Sequence, residues 1–190
     1  MTRHVRSLLL CLVVIAAVPA CKSSSSLPPE CRDNPEPILI LMAQAVPQAT
    51  RVPCIAGLPL GWRYDGSLVE RDSARFWLSS DVAGAPAVEV VFSGSCSPGD
   101  APRVPAAGDE AGATVHQQLT SLDPFTGARY VVFDGGCTIY RFTFAPDAPA
   151  TLAVQVTEAL SFVPREALVR SVEDAVDASL CGAEAPPCDG

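Results

Sequence analysis

Lysine is almost missing from this chain: of 13 basic residues among 190, Lys22 is the one lysine. Schiff-base enzymes, Walker-type phosphate loops and Ser-Lys acyl transfer each need an amine on the folded domain. A single amine in a serine-rich stretch near the start excludes all three. Histidine is scarce too, with only His4 and His116. A Ser-His-Asp hydrolase would have to use His116, and the nearest string to a nucleophile elbow, Gly94-Ser95-Cys96-Ser97-Pro98, departs from Gly-x-Ser-x-Gly. Cys-x-x-Cys, His-Glu-x-x-His and an EF-hand loop are all absent, so no metal and no cofactor is expected. Aromatics make up 6% of the residues, which leaves no obvious sugar platform. A glycosidase needs only two carboxylates, and Asp65, Glu70, Asp72 and Asp134 are the candidates. Asp134 precedes Gly135 as a turn residue and Glu70 and Asp72, with Arg71 between them, read as exposed strand-end charges, so the expectation is a protein that is not an enzyme.

Long apolar runs are lacking as well. The longest, Leu8 to Val18, has eleven residues; at 1.5 Å per residue it rises roughly 16 Å as a helix, about half of the ~30 Å hydrocarbon core. It follows a basic start containing Arg3 and Arg6 and precedes Val18-Pro19-Ala20-Cys21. Basic region, short apolar region and small-residue cleavage site define a secretory signal over 1–20. Its end resembles the bacterial lipobox, from which Pro19 departs, and that resemblance implies diacylglyceryl transfer to the Cys21 sulfur and cleavage before it. The alternative is ordinary cleavage near Ala20 and a secreted soluble protein. Residues 21–36, with four consecutive serines and then Leu27-Pro28-Pro29, read as a flexible tether. The expected location is the outer face of the cell membrane, held by the lipid.

Without residues 1–20 the chain carries 11 basic and 21 acidic side chains, a net charge of about −10. Such a surface repels phosphate backbones and has no basic cluster for anionic headgroups, so no nucleic acid is expected as a partner. Of eight cysteines, Cys11 leaves with the signal and Cys21 would be lipidated. Cys31, Cys54, Cys96, Cys137, Cys181 and Cys188 remain, an even set in an oxidising compartment. Six cysteines admit 15 pairings. The sequential one is expected: Cys31 and Cys54 flank an apolar segment, Cys96 follows one strand where Cys137 opens another, and Cys181 and Cys188 bracket Pro186-Pro187.

Periodicity places one domain over 37–182, followed by a disulfide-closed tail over 183–190. Pro37 to Val46 is a ten-residue run before Pro47, apolar but for Gln44, which favours a buried helix over a strand. From Trp62 to Phe144, short runs rich in Val, Phe, Tyr and Thr alternate with Gly, Pro and Asp, the pattern of strands. Arg75–Ser79 and Ala87–Phe92 form one hairpin. Arg129–Phe133 and Thr138–Phe144 form another around Asp134-Gly135-Gly136. Thr114–Leu119 is a further strand carrying His116, and Ser97–Gly112 is a long surface loop. Two helices follow, one over Thr151–Phe162 and one after Pro164 with Val169, Val172, Val176 and Leu180 on a stripe. The sum is an α+β fold: an antiparallel sheet of about five or six strands packed against N- and C-terminal helices and stapled by disulfides.

Pro53-Cys54, Leu58-Pro59-Leu60-Gly61-Trp62, Ala74-Arg75-Phe76-Trp77-Leu78 and Phe133-Asp134-Gly135-Gly136-Cys137-Thr138-Ile139-Tyr140-Arg141-Phe142 resemble secreted or lipidated proteins of high-GC Gram-positive bacteria with no assigned activity. The Pro-x-Gly-Trp start before a small sheet is also similar to PsbP-type lipoprotein domains, which implies an interaction module. The leading expectation is therefore a lipid-anchored extracytoplasmic binding module. Its sheet face or its Ser97–Gly112 loop would meet an envelope protein. The alternative is a carrier or sensor of an apolar ligand, in a pocket between sheet and helices lined by Phe76, Trp77, Phe92 and Tyr140. A carboxylate-based envelope hydrolase is the third reading.

Overall fold

The computed structural model describes residues 23–32, 36–106, 108–176 and 179–180. The signal segment, Cys21 and the tail that holds Cys181 and Cys188 lie outside the described residues. The main sheet is built from β1 (Ser23–Ser25), β3 (Trp62–Glu70), β4 (Ser73–Ser80), β5 (Gly84–Ser93), β6 (Arg103–Val104), β7 (Thr114–Leu122), β8 (Phe125–Phe133) and β9 (Gly136–Thr143). It runs in the order β1-β3-β4-β5-β9-β8-β7-β6, antiparallel at every step. A separate two-stranded ribbon pairs β2 (Arg51–Ile55) with β10 (Leu160–Pro164). The helices are α1 (Pro37–Ala45), α2 (Thr151–Glu158) and α3 (Arg165–Val176).

The α+β class is as the sequence pattern implies, while the sheet has eight strands rather than five or six. The two extra strands are the very short edges. Ser23–Ser25 lies in the segment expected to be a free tether, yet it pairs with Ser67–Val69, and Tyr64 Oη donates to the Ser25 carbonyl at 3.2 Å. Arg103–Val104 lies in the expected surface loop and pairs with Val115–His116. Two or three residues of backbone pairing leave no periodicity to read. The expected helix Thr151–Phe162 is also corrected: it stops at Glu158, and Leu160–Pro164 becomes the strand that pairs with Arg51–Ile55. Its β-branched and aromatic Phe162-Val163 pair suits a strand, and Pro164 ends it.

Alternation along the strands divides the sheet into two faces. On the inner face Phe76, Val90 and Tyr140 stand in one cross-strand row, with Ala74, Phe92 and Thr138 in the next. All six side chains are buried. Ile38, Leu39 and Met42 of α1 cover the β3–β4 side of this face, and the β2–β10 ribbon with Val156 of α2 and Leu168 of α3 completes the same core. On α3 it is Leu168 that reaches full burial, one position before the expected stripe; Val169 packs partly buried against the core. The Arg165 guanidinium ties α3 to α1 by donating to the Ala43 carbonyl at 2.6 Å.

Two of the three expected disulfides fall within the described residues and both form, Cys31–Cys54 and Cys96–Cys137. The first fastens the N-terminal segment to β2, beside the backbone bond from Cys31 N–H to the Ile55 carbonyl. The second closes the outer face of β9 onto the loop after β5.

The β8–β9 turn is the tightest backbone junction. Gly135 has φ +68°, and a Cβ there would stand 1.6 Å from the Gln48 carbonyl oxygen. Gly99 has φ +58° with open space around it. Gly135→Ala is expected to cost about 2–4 kcal/mol through clash and strain together, against about 1–2 kcal/mol for Gly99→Ala, which carries the backbone penalty alone. Urea unfolding of the two variants checks the difference.

Candidate functional site

The outer face of the sheet carries the residues left over from the core pattern. Strand register lines up Gly66, Trp77, Glu89, Arg141 and Ala128 across β3, β4, β5, β9 and β8. The neighbouring row is Leu68, Arg75, Val91, Ile139, Tyr130, His116 and Arg103. Arg75, Glu89 and Arg141 each sit between apolar neighbours in their own strands, as in Val88-Glu89-Val90 and Tyr140-Arg141-Phe142, so burial of the neighbours forces them outward.

Four charged side chains here, Glu70, Arg75, Glu89 and Arg141, are joined in one chain of ion pairs. Arg75 lies 3.0 Å from Glu70 and 3.8 Å from Glu89, and Arg141 lies 2.8 Å from Glu89. Two carboxylates and two guanidiniums leave the strip without net charge. Beside it, Trp77 lines a groove of about 560 Å³ together with Pro86, Glu89, Arg141 and Phe144. Small side chains at Ala83, Gly84, Ala85 and Ala145 keep its rim low. A second polar group continues from the groove, where Ser79 Oγ donates to Asp65 and Arg63 reaches both Asp65 and Asp81.

The four aromatics expected to line one pocket are split between the faces. Phe76, Phe92 and Tyr140 are fully buried and packed in the inner core. Trp77 stands half-buried on the opposite face, because it is one residue out of phase with Phe76. A common pocket for the four is therefore corrected. Of the carboxylates, Asp65 and Glu70 belong to the outer-face pairs, Asp72 is in the β3–β4 turn and Asp134 in the β8–β9 turn. His116 Nδ1 bonds the Ala101 carbonyl at 2.8 Å. Among the described residues no group of three His, Cys, Asp or Glu side chains could hold a metal ion.

A polar cluster that the sequence reading missed sits under the expected surface loop. The 3-10 turn Gly108–Glu110 carries Glu110 inward, where it takes Arg129 Nε at 2.6 Å and Nη2 at 2.5 Å; their side chains are 8% and 11% exposed. Arg129 Nη1 also donates to Gln117 at 2.9 Å. Ser161 Oγ donates to Asp109, and Arg51 Nη1 donates to the carbonyls of Asp109 and Ala111 at 3.3 and 3.2 Å. The Arg51 guanidinium also lies over the Phe133 and Phe162 rings. The loop is thus a clasp between the β7–β8 edge and the ribbon. The signal was available in the acidic pair Asp109-Glu110 and in Arg129 on a strand, but their meeting depends on a register that sequence does not print. A small cavity of about 180 Å³ adjoins Arg129 between α2 and the sheet.

Burial of Tyr140 raises its phenol above the ordinary range, with the Glu110 carboxylate adding to the effect. Comparison with protein-family models, with curated proteins and with solved structures returns no match.

Two outcomes are expected. Glu110→Ala leaves a buried guanidinium without its carboxylate and lowers stability by about 3–5 kcal/mol, much of it regained in the double variant with Arg129→Met; urea unfolding of the two variants measures both. For Tyr140, the neutral form is the one the fold keeps. Its contribution is intact below the unfolded phenol value of about 10 and is lost as pH rises above it. Its phenolate absorbance should therefore appear together with alkaline unfolding, and Tyr140→Phe should remove that component.

Proposed function

We propose that the chain is a lipid-anchored extracytoplasmic binding module of the bacterial envelope and that the outer sheet face is its recognition surface. The observation that carries this reading is the contrast between the two faces. The described helices and the ribbon all contribute to the core on the inner face, whereas the outer face presents a half-buried tryptophan, a groove and ion-paired arginines. Tryptophan and arginine are the side chains in which binding energy concentrates, since each joins a large apolar area to directional donors.

Anchoring rests on the signal, the lipobox-like Val18-Pro19-Ala20-Cys21 and the arithmetic of acyl chains. Each buried methylene contributes about 0.8 kcal/mol, and two chains hold where one is marginal. No described helix is long and apolar enough to cross a membrane, so attachment in this reading falls to Cys21. Two disulfides are consistent with an oxidising compartment.

The test is crosslinking of intact cells expressing the tagged full chain. Cys21→Ala should move the protein from the detergent phase to the aqueous phase on Triton X-114 partition; retention in the detergent phase would sink the anchor. Trp77→Ala, with wild-type stability, should lower the yield of crosslinked envelope component at least tenfold. An unchanged crosslink would remove the outer face as the binding surface.

A further inference from the structure

We infer that the outer-face strip binds an uncharged glycan strand, with the Trp77 indole as its stacking platform and Glu89 and Arg141 as its hydrogen-bonding side; this rests on the reading of that face as the recognition surface. Three features of the strip select this ligand class.

The first is charge. The chain as a whole has a formal net charge of −8, yet the strip pairs Glu70 and Glu89 with Arg75 and Arg141 and is electroneutral. A polyanion such as a nucleic acid or a sulfated glycan meets no excess positive charge there, and a basic peptide no excess negative charge. A neutral polar ligand avoids both penalties.

The second is the kind of atoms on offer. A pyranose has two chemically different sides: hydroxyls round the rim, each both donor and acceptor, and a patch of C–H groups on the ring face. The indole of Trp77 matches the C–H patch. Glu89 supplies acceptor oxygens, and Arg141, whose side chain is 51% exposed, supplies planar donors. Holding the two in an ion pair fixes both planes before a ligand arrives, which reduces the ordering cost of binding. A purely apolar ligand would strip water from this pair and give no hydrogen bonds in return.

The third is shape. Gly66 and Ala128 flank Trp77-Glu89-Arg141, and past Ala128 the row continues to the exposed Gln118 of β7. With neighbouring strands about 4.8 Å apart, the row from Gly66 to Ala128 spans about 19 Å. Glycine and alanine raise no wall beside the central three, and Gln118 adds a further polar side chain beyond Ala128. The groove beside Trp77, Glu89 and Arg141, 560 Å³, is in the size range of small-ligand sites. An elongated, open-ended, shallow strip accommodates an internal stretch of a chain and does not require a chain end.

The experiment uses the full-length chain purified from membranes in detergent, with chitotetraose, cellotetraose and mannotetraose as uncharged probes and a heparin tetrasaccharide as the charged control. Saturable binding by at least one uncharged probe, read by calorimetry and by tryptophan fluorescence, is expected. Trp77→Ala and Arg141→Ala should each weaken it at least tenfold. Trp62, buried on the inner side, reports that the variants remain folded through near-ultraviolet circular dichroism. Failure of all three uncharged probes, preference for heparin, or binding that Trp77→Ala leaves unchanged would each overturn the inference. An envelope protein whose crosslink needs Trp77, found together with no glycan binding, would overturn the glycan class and keep the recognition surface. Glycan binding at Trp77 in a protein that does not need Cys21 for membrane association would keep the inference and overturn the anchor.

Discussion

The pairing of β5 with β9 is the constraint on which the rest depends. Each hairpin, β4–β5 and β8–β9, can form from local sequence, but neither buries both its own apolar row and its partner's. The β5–β9 register brings Val90 opposite Tyr140 and Phe92 opposite Thr138, joining the halves into one surface that α1 and the ribbon can cover. The same register sets Glu89 opposite Arg141 and Val91 opposite Ile139 on the other side. A one-residue slip would turn Tyr140 outward and Arg141 inward, burying a guanidinium beneath Val90. Core and outer strip are therefore two readings of one hydrogen-bond ladder.

Closing this ladder into a domain requires burial of polar groups at the far edge. The Asp109-Glu110 turn and Arg129 are taken out of water together, and a buried ion pair of this kind contributes little net stability because desolvation offsets the attraction. What it contributes is placement. Arg129 donates through two nitrogens to Glu110, a geometry only a well-placed carboxylate satisfies, so the clasp fixes the loop over β7–β8, and Ser161 on Asp109 fixes the ribbon to the loop. Replacing the clasp with apolar residues would leave the loop free to choose other positions, while the ribbon would keep its contact with β8 through Arg51 and Phe162 on Phe133.

Much of the fold was legible from particular residues. Asp134-Gly135 between two alternating runs identified the β8–β9 hairpin, and the mostly apolar ten-residue run stopped by Pro47 identified α1. Cys31–Cys54 and Cys96–Cys137 followed from where those cysteines stand relative to strands. What was not legible depended on tertiary pairing. Leu160–Pro164 has an apolar pattern compatible with the end of a helix, and it becomes a strand because Arg51–Ile55, over a hundred residues earlier, offers it an open edge. The site was less legible still. Trp77 could be singled out as an aromatic in a strand, but its face follows from phase with Phe76, and the partnership of Glu89 with Arg141 follows from a register set across 52 residues. The three other aromatics were chosen for chemistry and were claimed by the core.

The N-terminal edge bears on the proposed anchor, because the described chain begins there, beside the strip. Ser23 pairs with Val69 at the far end of β3, and Ser25 with Ser67. Cys21 is two residues before Ser23, and two residues of chain span at most about 7 Å. A lipid on Cys21 would therefore hold β3 close to the bilayer, where a free tether of the same composition would let the domain drift much farther. Gly66, the first position of the strip, lies one residue from the last β1 pair, and a Cβ there would approach the Ser25 carbonyl at 3.7 Å. The strip thus begins beside the docked segment and runs away from it across β4, β5, β9 and β8. In a lipid-anchored protein this arrangement presents the recognition row to whatever lies immediately above the membrane, at a distance set by the sheet itself rather than by a flexible leash.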